Sequence, residues 1–178
     1  GQQLSKYDLL INDGLLTGAE IEAATEISMK TGQSIEAILM EKYKILKPDI
    51  GRALAGFYRT PFFEFKSGLP VPSDLIQGLE ANYLRNQKWV PIRREGDVVF
   101  FAVENPRALD KLDDIRRHIP AKAYRFLVGI VEDILKTIDY FFGAEAKEEP
   151  KQRGTTVSKI LDNLAMEAKP SQEEDESE

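Results

Sequence analysis

Residues 89–103, WVPIRREGDVVFFAV, predict the β-hairpin around which the fold is organised. Two β-rich runs, residues 89–92 and 98–103, flank a charged turn in which Gly96 allows a tight reversal of the chain. The adjacent Phe100 and Phe101 point to opposite faces of such a strand, because side chains alternate along it. We therefore expect either that both faces of the sheet are covered or that one face is an interface.

The elements on both sides of the hairpin predict helices packed on one sheet. Before it, residues 62–65 predict a strand and residues 74–84 a helix. After it, residues 123–128 predict a strand and residues 131–142 a helix. Between the hairpin and that last strand, an amphipathic helix is marked by four apolar residues at helical spacing: Leu109, Leu112, Ile115 and Ile119. The order β-α-β-β-α-β-α is typical of an α/β sandwich, so the predicted class is α+β.

The N-terminal third of the chain predicts a small bundle of short helices. Thr17 and Glu20 have the spacing of a capping box, in which each side chain accepts a hydrogen bond from the other residue's backbone N–H. A second helix fits residues 34–43. Pro48 suits the start of a third helix, because its missing N–H needs no partner there.

Changes in composition predict three segments. They are a helical subdomain, an α/β domain and a linker with an acidic tail: residues 1–58, 59–143 and 144–178. Within the first segment, the helical hairpins at residues 9–28 and 38–57 are loosely similar. Beyond Gly143 the chain is polar, with one short amphipathic helix predicted near residues 157–164. We expect the acidic tail to be disordered, because it lacks the apolar groups needed for a core.

Composition also excludes several classes of function. The chain has no cysteine and one histidine, His118, which excludes disulfides, thiolate chemistry and sites built from paired histidines. The formal net charge is −6, and five acids lie in the last six residues, so the remainder is nearly neutral. Because nucleic-acid binders usually carry a basic excess, we expect no nucleic-acid partner. No apolar run approaches the roughly 18 residues of a membrane span, so we expect no direct membrane insertion.

No catalytic or metal site is predicted in this chain. The nearest match to a Walker A loop, GRALAG at residues 51–56, lacks the Lys and Ser/Thr that hold phosphates. Its helical pattern indicates small residues used for tight helix packing. His118 lies near a helix end, which favours a surface role. Three aspartates near a helix start could suggest a cation site: Asp110, Asp113 and Asp114. A cation usually takes six or more oxygen ligands, and acidic side chains at a helix start are already favoured by the helix dipole, so we expect no cation here.

Arg93 and Arg94, beside the hairpin turn, are the candidate docking residues. Two arginines are too few for a nucleic-acid patch. A guanidinium does fit the carboxylates of an acidic partner, or the phosphates of an ATP-bound neighbour, through paired hydrogen bonds. The alternative is that both are solvated charges of the turn.

Short stretches in the second half of the chain follow one another in a specific order. They are TPFF at 60–63, ANYLR at 81–85, VPIRREG at 90–96, VFFAVENP at 99–106, ALDKLDDIR at 108–116 and IDYFFG at 138–143. This ordered series resembles the N-terminal domain of the type II secretion E-protein family, which includes the pilus-extension ATPases and MshE-like proteins.

The helical segment resembles the module that precedes this domain in the same family, whose cyclic di-GMP-binding version carries two tandem motifs. Ser5 and Ser34 stand at the motif's Arg positions, and Tyr7 and Glu36 stand at its first Gly positions. Arg binds phosphate through two charge-assisted bonds and Gly lets the backbone approach a ligand, so these losses favour a structural or docking role. What remains is the apolar scaffold: Leu9, Leu10, Gly14, Leu15, Leu16, Ile38 and Leu39.

The resemblance implies a docking and regulatory domain of a type II secretion or type IV pilus assembly ATPase. Such a domain recruits its motor to the cytoplasmic domain of an inner-membrane secretion or pilus protein. We therefore expect a cytoplasmic chain, peripheral to the inner membrane, that also contacts its own ATPase domain. ATP and Mg belong to that motor, and we expect no cofactor here.

Two other interpretations stay open. One is a cyclic di-GMP sensor that binds through the helical segment. The other is a stand-alone adaptor that reuses the fold without a motor. Gly1 in place of Met favours an excised piece of a longer protein.

Overall fold

The computed structural model describes residues 5–153, and the side chains of residues 5–144. These residues form the predicted α+β fold. Four helices come first: α1 (Asp8–Asn12), α2 (Gly18–Thr31), α3 (Ile35–Glu41) and α4 (Lys47–Tyr58). The elements that follow are α5 (Ser73–Ile76), α6 (Ala81–Gln87), β1 (Trp89–Glu95), β2 (Val98–Val103), α7 (Leu109–His118), β3 (Ala123–Val128) and α8 (Val131–Arg153).

Two compact units divide the chain. The first covers Gly1–Asp139, so the four N-terminal helices and the sheet belong to one unit. The second covers Tyr140–Glu178. The predicted boundary between residues 58 and 59 separates α4 from the sheet region, and it stays a prediction.

The helix starts of the N-terminal region follow the predicted capping chemistry. The Thr17 hydroxyl accepts from the Glu20 N–H at 3.1 Å, and the Glu20 carboxylate accepts from the Thr17 N–H at 3.0 Å. This capping box begins α2 as predicted. Pro48 lies in the first turn of α4, where its missing N–H leaves no bond unmade.

The three strands form one sheet in the order β1-β2-β3. β1 and β2 are antiparallel around the turn at Gly96, whose φ of +61° is a conformation that glycine adopts without strain. β2 and β3 are parallel, and α7 supplies the crossover that parallel neighbours require. The predicted hairpin and the predicted strand over residues 123–128 are confirmed.

Helices α6 and α7 cover one face of the sheet. Phe101 points to this face, is fully buried, and packs against Trp89 with ring centroids 5.9 Å apart. From α6, the Tyr83 ring contacts the Trp89 ring edge-on. From α7, the Arg116 guanidinium lies 5.5 Å from the ring centroid of Tyr124 on β3. This face therefore contributes a large aromatic part of the core of the sheet region.

The predicted strand over residues 62–65 is wrong. Phe62 forms only an isolated parallel bridge with Val128, and no fourth strand occurs among residues 5–153. The segment leaves the sheet because the Phe62 ring packs against α4. Three residues later, the Phe65 N–H bonds Asp133 Oδ2 at 3.4 Å instead of a strand partner.

Two predicted helices differ in detail. The helix predicted over residues 74–84 is divided into α5 and α6, because Gly78 between them has a φ of +86° that no α-helix contains. In α7, Leu112 and Ile115 are buried as predicted. Leu109 is 72% exposed, because it opens the helix one turn before the buried pair.

Helix α8 continues to Arg153, through residues that the sequence predicts as linker. Alanine, glutamate and lysine at residues 144–149 are strong helix formers, which favours this continuation. In the part of the chain that the structure describes, neither α8 nor any other helix is long and apolar enough to cross a bilayer. The helix predicted near residues 157–164 and the acidic tail lie outside the described residues.

Candidate functional site

The helical segment is an internal repeat in which α1 and α2 correspond to α3 and α4. Tyr7 and Glu36, 29 positions apart, stand at equivalent places in the two halves. The same spacing relates three pairs of residues in one buried core: Leu10 and Leu39, Leu16 and Ile45, and Ala24 and Ala53. The loose similarity of the two hairpins in sequence therefore corresponds to a repeated structure.

The apolar scaffold predicted from the cyclic di-GMP motif lies in or beside this core. Leu9 packs against it from the side, whereas Leu15 is 41% exposed. Gly14 has a φ of +76° and turns the chain between α1 and α2. The other scaffold residues are buried: Leu10, Leu16, Ile38 and Leu39. These residues build the helical core, and a role for them in ligand binding stays a prediction.

The residues at the two motif Gly positions, Tyr7 and Glu36, are joined by a direct hydrogen bond that connects the two halves of the repeat. The Tyr7 hydroxyl donates to Glu36 Oε2 at 2.6 Å, and each residue is only 6% exposed. The Lys6 ammonium lies 3.4 Å from the same oxygen. Burial, and then the Glu36 carboxylate, raise the pKa of Tyr7, so its phenol stays a neutral donor. The two side chains therefore occupy the space that glycines leave open.

At the two motif Arg positions, serines bond carboxylates near helix starts. Ser5 donates to Asp8 through its N–H at 3.0 Å and its hydroxyl at 2.7 Å. Ser34 accepts from the Ala37 N–H at 3.0 Å and donates to Glu132 Oε1 at 2.6 Å. Ser34 is thus an N-cap of α3 that also ties this helix to the first turn of α8.

On the sheet face opposite to α6 and α7, Arg93, Phe100 and Arg125 lie side by side on β1, β2 and β3. Their side chains share one face, because directly opposite residues of neighbouring strands point the same way. The Arg93 guanidinium lies 4.0 Å from the Phe100 ring centroid, which is a cation–π contact. We call these three residues the arginine row.

Only one of the two predicted docking arginines belongs to this row. Arg94 follows Arg93 on β1, points to the other face, and pairs with Asp74 at 3.4 Å. The sequence alone does not single out Arg125, because its place opposite Phe100 depends on the register of β2 and β3. The docking role of Arg93 and Arg94 stays a prediction.

An open cleft of about 240 Å³ lies beside the end of α7, lined by Gly78, Leu79, Glu80, Tyr83 and His118. The Tyr83 hydroxyl donates to the Asp114 carboxylate. That bond lowers the pKa of Asp114, and burial followed by the same bond raises the pKa of Tyr83 to about 12. His118 Nδ1 donates to the Asp114 backbone carbonyl at 2.9 Å. Both cleft side chains thus bond to α7, which favours the surface role predicted for His118.

Asp113 and Asp114, considered above as candidate cation ligands, form ion pairs within α7. Asp113 pairs with Arg116 at 3.4 Å, and Asp114 pairs with Arg117. Across the described ranges, no group of three His, Cys, Asp or Glu side chains is placed to hold a metal ion.

The GRALAG stretch is part of α4 and packs closely on its neighbour. A Cβ built on Gly51 would lie 2.6 Å from Cδ2 of the Phe62 ring, which is closer than two carbon atoms approach. Glycine at this position therefore serves helix packing, as the sequence pattern indicates, and not a phosphate loop.

Comparisons with known proteins give one family match and several similar structures. Residues 58–148 match the MshEN domain family. The solved structure of MshE with cdg is similar at a TM-score of 0.56 and 19% identity, over 78% of this chain and 99% of that one. The N-terminal domain of XpsE is similar at a TM-score of 0.50 and 15% identity, over 79% and 99%. At these identities the two structures show a shared fold. None of the curated proteins matches the chain.

Proposed function

The chain belongs to the MshEN domain family, the N-terminal domain of type II secretion and type IV pilus assembly ATPases, and from this premise we propose that it is a docking domain. N-terminal domains of this family are the non-catalytic parts of their ATPases. The observation that carries the proposal is the family match over residues 58–148, the region that contains the whole sheet.

The proposed partner is the cytoplasmic domain of an inner-membrane secretion or pilus protein. In this role the domain holds its ATPase at the inner membrane from the cytoplasmic side, while ATP and Mg are used by the motor. In support of this division of labour, Tyr7 and Glu36 of the helical repeat bond each other, and Asp113 and Asp114 of α7 pair with arginines of the same helix. In this role the domain contributes a surface that binds another protein.

Direct binding tests this function. The full chain, immobilised through an added tag, is presented with purified cytoplasmic domains of the inner-membrane proteins encoded beside its gene. We expect one of them to bind with micromolar or tighter affinity, equivalent to about 8 kcal/mol. Binding to none of them would contradict the proposal. A Walker A motif encoded after residue 178 would favour the docked motor, and a stop codon would favour the stand-alone adaptor.

A second candidate function, sensing of cyclic di-GMP, is favoured by the likeness to MshE with cdg. The residues of this chain do not fit that ligand. Its phosphates would meet the buried Glu36 carboxylate where the motif has glycine, and Ser5 and Ser34 offer no positive charge where it has arginine. The hydrogen-bonded side chains of Tyr7 and Glu36 also occupy the space through which the ligand would reach the backbone.

Calorimetry separates the two candidates. Cyclic di-GMP is titrated into the full chain at physiological salt, with MshE as the positive control and ATP as the second ligand. We expect heat from MshE and none from this chain with either nucleotide. Micromolar binding of cyclic di-GMP by this chain would contradict the interpretation that Tyr7 and Glu36 block ligand access to the repeat, and would favour the sensor function.

A further inference from the structure

We propose that the arginine row, Arg93, Phe100 and Arg125, binds an acidic extended segment of the partner, with Phe100 as the apolar floor between two guanidinium groups. This inference rests on the proposed docking function, and adds to it the face that docks and the chemistry of the segment that it takes.

At the Val98–Phe101 end of β2 the two faces differ in how far they are covered, although Ala102, further along the second face, is buried. Val99 and Phe101 point to the helix-covered face and are fully buried. Val98 and Phe100 alternate with them, point to the other face, and are only partly buried. On β3, Arg125 lies on this second face opposite Phe100 and is exposed. The face that carries the arginine row is therefore open to a partner at this end of the sheet.

The two guanidinium groups of the row have partners that are easily exchanged. Arg93 Nε bonds Glu95 Oε2 at 2.5 Å, and about half of each of these side chains is exposed. Arg125 donates to the carbonyl of its own neighbour, Tyr124, at 3.0 Å. Exposed ion pairs contribute little to stability, so a carboxylate from a partner replaces these contacts at small cost.

Charge complementarity selects an acidic occupant. The charged groups that flank the row are Glu95, which pairs with Arg93, and an exposed Lys122–Asp97 pair with 3.9 Å between charges. The row itself therefore adds one unpaired positive charge, that of Arg125. A strand laid across the sheet points every second side chain at this face, so alternating carboxylates reach both arginines.

An aromatic ring flanked by arginines on a sheet is also a surface on which a single-stranded RNA base can stack. The remainder of the chain does not support that occupant. The whole chain has a net charge of −6 and is nearly neutral without its acidic tail, whereas proteins that bind nucleic acid carry a basic excess along the path of the phosphates. A protein segment is the better match, and RNA is an outcome that the experiment must distinguish.

Labelled peptides test the inference on the full chain. One short peptide alternates glutamate with valine, and its control alternates glutamine with valine. We expect anisotropy titrations to show binding of the acidic peptide alone, weakening as salt is raised. Arg93→Gln and Arg125→Gln should each reduce affinity about tenfold, by removal of a charge-assisted bond. Arg85→Gln is the matched control, because Arg85 is an exposed arginine paired with Asp139 at 2.7 Å, away from the row, and should change nothing.

Three results would overturn the inference. They are failure of the acidic peptide to bind, equal binding by the Arg93→Gln/Arg125→Gln double variant, and tighter binding of a labelled oligouridylate than of the peptide. The same double variant is then tested for binding to the inner-membrane domain that binds the wild-type chain. If the domain still binds equally well, the assigned face is wrong while the docking function stands. If no domain binds the wild type but the peptide binds at the row, the docking function fails and the row remains a peptide site.

Discussion

The helical repeat and the arginine row both place charged side chains beside an aromatic ring, but they differ in burial. In the repeat, Glu36 and Tyr7 are each 6% exposed and bond each other across the two halves. In the row, Arg93 and Arg125 stand exposed on either side of Phe100. Buried polar groups need their internal partners, whereas exposed charges exchange theirs with water or with another molecule. The repeat is therefore structural, and the row is available for binding.

The largest expected effect comes from removal of the carboxylate at the centre of the repeat. Glu36→Ala leaves the buried Tyr7 hydroxyl without its Glu36 acceptor and removes a carboxylate that lies close to Lys6, and should lower the free energy of unfolding by about 3 kcal/mol. Urea unfolding followed by circular dichroism measures the change. Glu41→Ala, at the exposed end of the same helix, is the control and should cost much less. Equal stability of the two variants would show that the buried bond of the repeat does not stabilise the fold, and would contradict the contrast between the structural repeat and the exposed arginine row.

A second variant tests the tight packing behind the repeat. A methyl group at Gly51 collides with the Phe62 ring, so Gly51→Ala should lower the free energy of unfolding by about 1–2 kcal/mol. Helix propensity alone gives the opposite sign, since alanine is favoured over glycine by about 1 kcal/mol. Thermal unfolding of Gly51→Ala decides whether the steric clash or the helix propensity dominates. A smaller residue at the second position, Phe62→Leu, should restore part of the loss, and a stabilised Gly51→Ala would show that α4 and Phe62 are not in close contact.

The hydrogen bond between the two halves should show itself in the pH dependence of stability. The pKa of Tyr7 is raised on folding, so its contribution is complete below the unfolded value of about 10 and is lost as pH rises toward the higher folded value. Tyr7→Phe should cost about 1 kcal/mol at neutral pH and make the alkaline decline shallower. Urea unfolding at neutral and at alkaline pH measures both. An unchanged alkaline decline would contradict the buried state of this phenol.

The smallest expected effect on stability belongs to the row. Arg93→Gln and Arg125→Gln remove exposed charges with weak partners, so each should change the free energy of unfolding by no more than about 0.5 kcal/mol. The same unfolding experiment serves as the measurement. A loss comparable to that of Glu36→Ala would mean that the row supports the fold and is not free for docking.

The sequence predicts those features that depend on local pattern. Alternation over residues 89–103 and 123–128 is enough for the strands, and the Thr17 and Glu20 spacing is enough for a helix start. The strand predicted at residues 62–65 fails because packing of Phe62 on α4 is not a local property.

The candidate sites depend still more on contacts between distant parts of the chain. Arg125 joins Arg93 only through the register of two strand pairs. The bond between Tyr7 and Glu36 requires the two halves of the repeat to face each other. The motif comparison identifies both residues as departures from the family, but only the structure shows that the two departures compensate each other.

The most direct test of this account is a hydrogen-exchange footprint of the full chain, alone and with the inner-membrane domain that binds it. Amide protection reports which backbone segments become covered or more stable on binding. Docking at the arginine row predicts added protection along β1, β2 and β3, in residues 93–100 and 123–127, with the helical repeat unchanged. Added protection in residues 5–16 and 33–45 with none in the strands would place the partner on the repeat and contradict the account.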